Sequence, residues 1–270
     1  MFGILPARIA ASGLQWAGAG VDIMRTGFLR GVFGAAVAVT VLLPAAAQAQ
    51  ITRVSGSDTR QSFGVNLGAF LPNGEDSRVD NDVLVTNLNS LLFDIDDFKG
   101  FSFGAEYLFG VTKYIEVGGD LSYYQKTAPS IYRPPLFDES DGSDIEQDLK
   151  LKIVPVTASV RFLPLGRDGA VQPYIGIGAS LLNWRYSETG EFVDFSDNTI
   201  FRESYVVSGH KIAPVVIGGV RFPVADVWTV GGEFRWQDAS DDTGGRAAGF
   251  LDDKIDLGGW TWNFNVHIRF

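Results

Sequence analysis

The chain of 270 residues contains no cysteine. That excludes a disulfide scaffold, a thiolate metal site and a lipidated N-terminal cysteine. No phosphate-binding loop, zinc-ligand spacing or dinucleotide fingerprint appears, so no cofactor is expected. Positive charge is in deficit: 22 Lys and Arg stand against 32 Asp and Glu, for a formal charge of −10. A balance this acidic argues against a nucleic-acid partner. No apolar run reaches the roughly 20 residues that a membrane-spanning helix needs. No helical period dominates either.

The N-terminal segment reads as an address. Met24 to Arg30 (MRTGFLR) is a short basic region, and Val32 to Leu43 (VFGAAVAVTVLL) is an apolar core. Pro44 breaks it, and Ala47-Gln48-Ala49 supplies a small-residue cleavage site before Gln50. This is the layout of a bacterial secretory signal. Residues 1–49 are therefore expected to be removed and 50–270 to form one domain, with Met24 as an alternative start to Met1.

What fills the rest is period-two alternation, the mark of β-strands with one apolar face. Eight such segments lie at about 61–71, 99–109, 114–125, 149–163, 172–186, 208–222, 227–238 and 258–270. Long polar stretches (72–98, 126–148, 187–207, 239–257) alternate with short connections (110–113, 164–171, 223–226). The pattern predicts an all-β, eight-stranded antiparallel up-and-down barrel with its long loops at one end.

Aromatic placement separates a transmembrane barrel from a soluble one. Phe109, Phe162, Phe222 and Phe270 are the last apolar-face residues of the even segments, and Trp228 opens the seventh. They are expected to form a periplasmic aromatic girdle, with Trp236 and Trp260 as the outer girdle. A lipocalin-like soluble barrel would instead crowd Trp228, Trp236, Trp260 and Trp262 into a small core. In hydrocarbon a sheet edge cannot stay unpaired, so the first and last strands are expected to pair.

The stretch Gln172 to Leu181 (QPYIGIGASL), the VRF strand ends and the terminal Phe270 resemble the OmpA/OmpW-like superfamily of small outer-membrane β-barrels. The resemblance covers about 51–270. It implies residence in the cell outer membrane, contact with outer-membrane lipid and lipopolysaccharide, and reading of Phe270 by the outer-membrane assembly machinery. A monomer is expected. No peptidoglycan-binding domain follows Phe270, so a tether to the cell wall is not implied.

An eight-stranded barrel is just wide enough for side chains to fill. The polar parity offers Glu106, Glu116, Asp120 and Glu233 against Arg161, Arg221, Arg235 and Arg269. Both signs facing inward predict cross-strand Glu–Arg pairs that plug the lumen. That favours a structural, surface-exposed role. The alternative is a narrow porin-like conduit for small or hydrophobic solutes, with Val83 to Phe98 and Ile131 to Phe137 lining an apolar mouth.

A remote alternative is a lipid A-modifying enzyme. Its deacylase form needs a nucleophile beside a histidine and an orienting carboxylate. Ser208, His210 and Glu203 are the nearest approach, but their order differs from the H-x-S pattern, so no catalytic residue is assigned. The acidic runs Asp94–Asp97, Asp138–Asp141, Asp238–Asp242 and Asp252-Asp253 lack the spacing of a dedicated calcium loop. They read as solvated surface, with divalent bridging to lipopolysaccharide as the other role for them.

Overall fold

Strands account for most of the chain because β-branched and aromatic residues recur at every second position. The structure, a computed structural model, describes residues 60–134, 142–194, 197 and 199–270. The address segment, the acidic run Asp138–Asp141 and the end of the stretch Ile131–Phe137 lie outside the described residues. Eight long strands follow one another: β1 Gln61–Pro72, β2 Gly100–Gly110, β3 Ile115–Tyr132, β4 Glu146–Phe162, β5 Gln172–Asp194, β6 Thr199–Pro223, β7 Trp228–Gln237 and β8 Gly259–Arg269.

Each pairs antiparallel with the next. The ring closes where β1 meets β8, from Ser62 opposite Arg269 to Pro72 opposite Gly259. Closure gives every strand two partners, which hydrocarbon demands. The three short connections fall at 111–114, 163–171 and 224–227.

The strands are not of one length. β1, β2, β7 and β8 have 10 to 12 residues, about what a tilted strand needs to cross the hydrocarbon. β3 to β6 have 17 to 25 and project past the others as a wall. Much of the predicted second and third loops is therefore strand. The stretch 187–207 is the top of the β5–β6 pair, with Ser187 opposite Val206 and Asp194 opposite Thr199.

The reason lies in a change of phase. On lower β5, Ile175, Ile177 and Leu181 face out and are exposed, while Gly176, Gly178 and Ser180 face in. Two residues further on the assignment reverses. Leu182, Trp184 and Tyr186 point inward and are buried, while Asn183 and Arg185 point outward. β4 does the same: Val156, Val160 and Phe162 face out below, and Leu149, Leu151 and Ile153 are buried inside above. The lower storey is apolar outside and polar within, as lipid requires. The upper storey is polar outside and apolar within, as water requires.

The inversion line marks one edge of the apolar outer band. Leu121→Arg, on the lower outer surface, is expected to cost about 2–4 kcal/mol, and Val206→Arg, above the line, about 0–1 kcal/mol. Urea titration of the folded, heat-modifiable band measures both. Equal costs would contradict this placement.

The upper storey is filled by loops. In 73–99 a helix, α1 (Val83–Asn87), and a 3-10 turn (Ile95–Phe98) fold inward. In 238–258 a small hairpin pairs Ser240–Asp242 with Lys254–Asp256. Val83, Leu84, Ile95 and Phe98 join Leu151, Trp184, Phe250 and Leu257 in one buried cluster. A five-residue helix does not stand alone in water, so this packing holds it. Among the described residues no helix is long and apolar enough to cross a membrane.

Candidate functional site

The polar residues of the lower storey converge because the barrel is narrow and alternation aims them at one axis. Arg161 on β4 lies between two carboxylates, Glu106 on β2 at 2.5 Å and Glu233 on β7 at 3.0 Å. Arg235 also bridges two, Asp120 on β3 at 2.6 Å and Glu233 at 3.0 Å. His267 on β8 meets Glu106 through Nε2 at 2.6 Å. Asn66 and Ser122 both donate to Asp120. The result is one connected layer drawn from six strands.

A second group sits nearer the short turns. Glu116 on β3 accepts Arg221 of β6 at 2.5 Å and forms an ion pair with Arg167 of the 163–171 connection at 3.2 Å. The Tyr174 ring separates the two groups: the Arg161 guanidinium lies 5.1 Å from its centroid and that of Arg221 4.9 Å. Its hydroxyl donates to Glu233 at 3.0 Å. Arg161, Glu106 and Glu233 are essentially inaccessible to solvent.

The expected pairs thus meet, with one correction. Arg269 joins no carboxylate among the described residues; it lies half-buried at the rim and donates to the Arg167 carbonyl at 3.3 Å. Its place is taken by Arg167, which the sequence hides in a connection where alternation gives no direction. Tyr174 was also missed. The signal was available, because Tyr174 shares its parity with inward Gly176 and Gly178.

Above this layer the lumen narrows to a cavity of about 20 Å³ between Arg235, Gln237, Phe70 and Tyr124. That is about the room one water needs. The apolar cap lies over it, pinned by a polar node at Asp82. The Asp82 carboxylate caps α1 through Leu84 N and Val85 N at 2.9 and 3.2 Å. It also accepts Arg78 through two bonds of 3.0 Å and Asp256 N at 2.6 Å. Asn81, just before it, adopts a left-handed φ of 62°, which asparagine tolerates better than most residues. At the far end of α1, Asn87 donates to Glu188 at 2.7 Å. Burial raises the Glu188 carboxyl above its usual range, opposed by the bonds from Asn87 and Tyr186.

Aromatic residues stand at both ends of the strands. Phe109, Phe162, Phe222, Trp228 and Phe270 are exposed at the short-turn ends of their strands. Trp236 and Trp260 are cross-strand neighbours near the loop ends of β7 and β8, and Phe234 stacks on Trp260 at 4.8 Å. Phe270 exchanges two backbone hydrogen bonds with Gln61, which seals the ring at its lower edge.

The remaining candidates do not assemble. Ser208 and His210 are exposed on the outer parity of β6, whereas Glu203, also exposed, stands on the opposite parity. Asp94 and Asp97 form a capping box on the 3-10 turn, and Asp252 accepts from Thr86. Among the described residues no cluster of three or more His, Asp or Glu has metal-holding geometry. The cleft beside Leu92 and Ile131 includes Asp144, Glu146, Asp148, Glu191 and Arg202 in its lining. Its lining is mixed, with both apolar and charged residues.

Comparison with known proteins adds three findings. No curated protein matches the chain. Among solved structures, OprG of Pseudomonas aeruginosa is 11% identical, with a TM-score of 0.46 over 80% of this chain and 98% of that one. Neisserial surface protein A is 13% identical (0.41; 80% and 99%), and E. coli outer membrane protein W 16% identical (0.38; 79% and 100%). The family model described as "Outer membrane protein beta-barrel domain" matches residues 35–270. The chain belongs to that family and is an outer-membrane β-barrel protein.

Proposed function

We propose that this barrel is a structural, surface-exposed protein of the outer membrane whose lumen is closed twice. The observation that carries the reading is the connected ion-pair layer of Glu106, Arg161, Glu233, Arg235 and Asp120. The apolar cap above it is the second closure. In this reading the described loops and the outer wall of β3–β6 meet the cell's surroundings. The barrel is a monomer that rests in lipid between its two aromatic girdles, against lipopolysaccharide, and Phe270 is the residue that the assembly machinery reads. In this reading it is not a catalyst.

A conduit for small solutes is the second reading. It is favoured by the buried Asn265 amide, His267 Nδ1 and Arg161 Nη1, which have no protein partner. Buried polar groups need partners, and a file of water or small polar solute would supply them.

Proteoliposome swelling in a small sugar separates the two. Liposomes carrying the folded chain should swell no faster than empty ones. Swelling that accelerates with protein content would overturn the closed reading in favour of the conduit.

A further inference from the structure

Cations are scattered thinly over this acidic chain, yet three of them share one outward face. Lys152 on β4 and Arg185 on β5 are direct cross-strand neighbours, both on the outer parity. Lys150 lies two residues further out on the same face, opposite Ser187. Like charges placed opposite each other destabilise a sheet. Among the described residues no carboxylate lies within 4.0 Å of any of the three. Asp148 and Glu146 follow beyond Lys150 and end the patch.

Depth is the second observation. Lys152 lies two residues, about 7 Å, beyond Val154, where the outer surface of β4 is still apolar. The patch thus sits on the inversion line, with lipid-facing Val156 and Leu181 below it. A tyrosine marks the same level. The Lys152 ammonium lies 5.2 Å from the Tyr123 ring, whose hydroxyl donates to Gln125 at 3.0 Å. Gln125 and Ser208 flank the pair in its own cross-strand row, and exposed His210 lies opposite Asn183.

We propose that Lys150, Lys152 and Arg185 form an anchoring site for the phosphate of an outer-leaflet glycolipid. Neighbouring strands lie about 4.8 Å apart and alternate residues about 7 Å apart, so three cations surround one phosphoryl group. Arginine presents its planar fork to two phosphate oxygens, and lysine adds a point charge. A free anion in solution would gain nothing from the patch's position at the lipid edge. A lipid headgroup reaches it with its acyl chains lying along Val156 and Leu181. The bound phosphate also relieves the repulsion between Lys152 and Arg185. The site rests on membrane residence alone and is independent of whether the lumen is closed.

Native mass spectrometry of the folded barrel tests the proposal. The chain is equilibrated in micelles with equal amounts of phosphorylated lipid A and its dephosphorylated form. The wild type should retain the phosphorylated lipid in preference. The double variant Lys152→Gln/Arg185→Gln should lower that preference by about tenfold, with its heat-modifiable band unchanged. Lys150→Gln should give a smaller loss in the same direction. Undiminished preference in the folded double variant, or equal retention of both lipids by the wild type, would overturn the site. Displacement of the lipid by millimolar inorganic phosphate would also overturn it, since the patch would then be an anion site with no lipid component.

Discussion

Arg161→Ala lowers the unfolding free energy of the barrel by about 3–5 kcal/mol. The arginine is shared by Glu106 and Glu233, and all three side chains are at most 1% exposed. Its removal leaves two carboxylates facing each other in a narrow, buried interior. His267 takes up part of the charge at Glu106, and Arg235 part of that at Glu233, but neither reaches the vacated centre. The exposed pair Arg202–Glu191, at 2.8 Å, gives the contrast. Its arginine side chain is 84% exposed, and Arg202→Ala should cost no more than about 1 kcal/mol. Equilibrium urea unfolding in detergent measures both. Adding Glu106→Gln to Arg161→Ala should recover part of the loss, because one stranded charge is removed. Equal costs for Arg161→Ala and Arg202→Ala would contradict the buried network.

Asp82→Ala opens the cap and leaves the barrel standing. The carboxylate gathers the start of α1, the Arg78 guanidinium and the backbone of Asp256 into one node. Both side chains of the Arg78–Asp82 pair are fully buried. Breaking such a pair strands a buried cation, at a cost of about 3–5 kcal/mol. A five-residue helix cannot absorb that, so the segment 73–99 should detach locally. Limited proteolysis should then cut within 73–99 while the heat-modifiable band persists. Asp82→Asn keeps an acceptor for Leu84 N and should be milder. Resistance of Asp82→Ala to proteolysis would show that apolar packing alone holds the cap.

The lower storey was legible because lipid and a narrow lumen impose one rule on all eight strands. Phe63, Val65 and Leu67 face out, and Ser62, Gly64 and Asn66 face in; the sequence shows this as plain alternation. The upper storey was hidden because the period persists while its phase reverses. Ser187 to Asp194 carries outward polar residues and scattered inward ones, so its composition reads as a loop. Only the paired strand, with Glu188 opposite Tyr205 and Phe192 opposite Phe201, makes it a wall. In the same way, Arg167 was invisible because no alternation directs a residue in a turn. Arg269 was misassigned because inward parity at a strand's last residue places a long side chain at the rim. Lys152 and Arg185 each look like ordinary surface cations until the register sets them side by side.

Single-channel conductance of the folded chain in a planar bilayer tests the central claim most directly. A lumen closed by Arg161 and Arg235 below and by the cap above predicts a silent bilayer from protein whose heat-modifiable band proves it folded. Discrete conductance steps from the wild-type chain, abolished or resized in Arg161→Ala, would contradict closure and make the charged layer the wall of a pore.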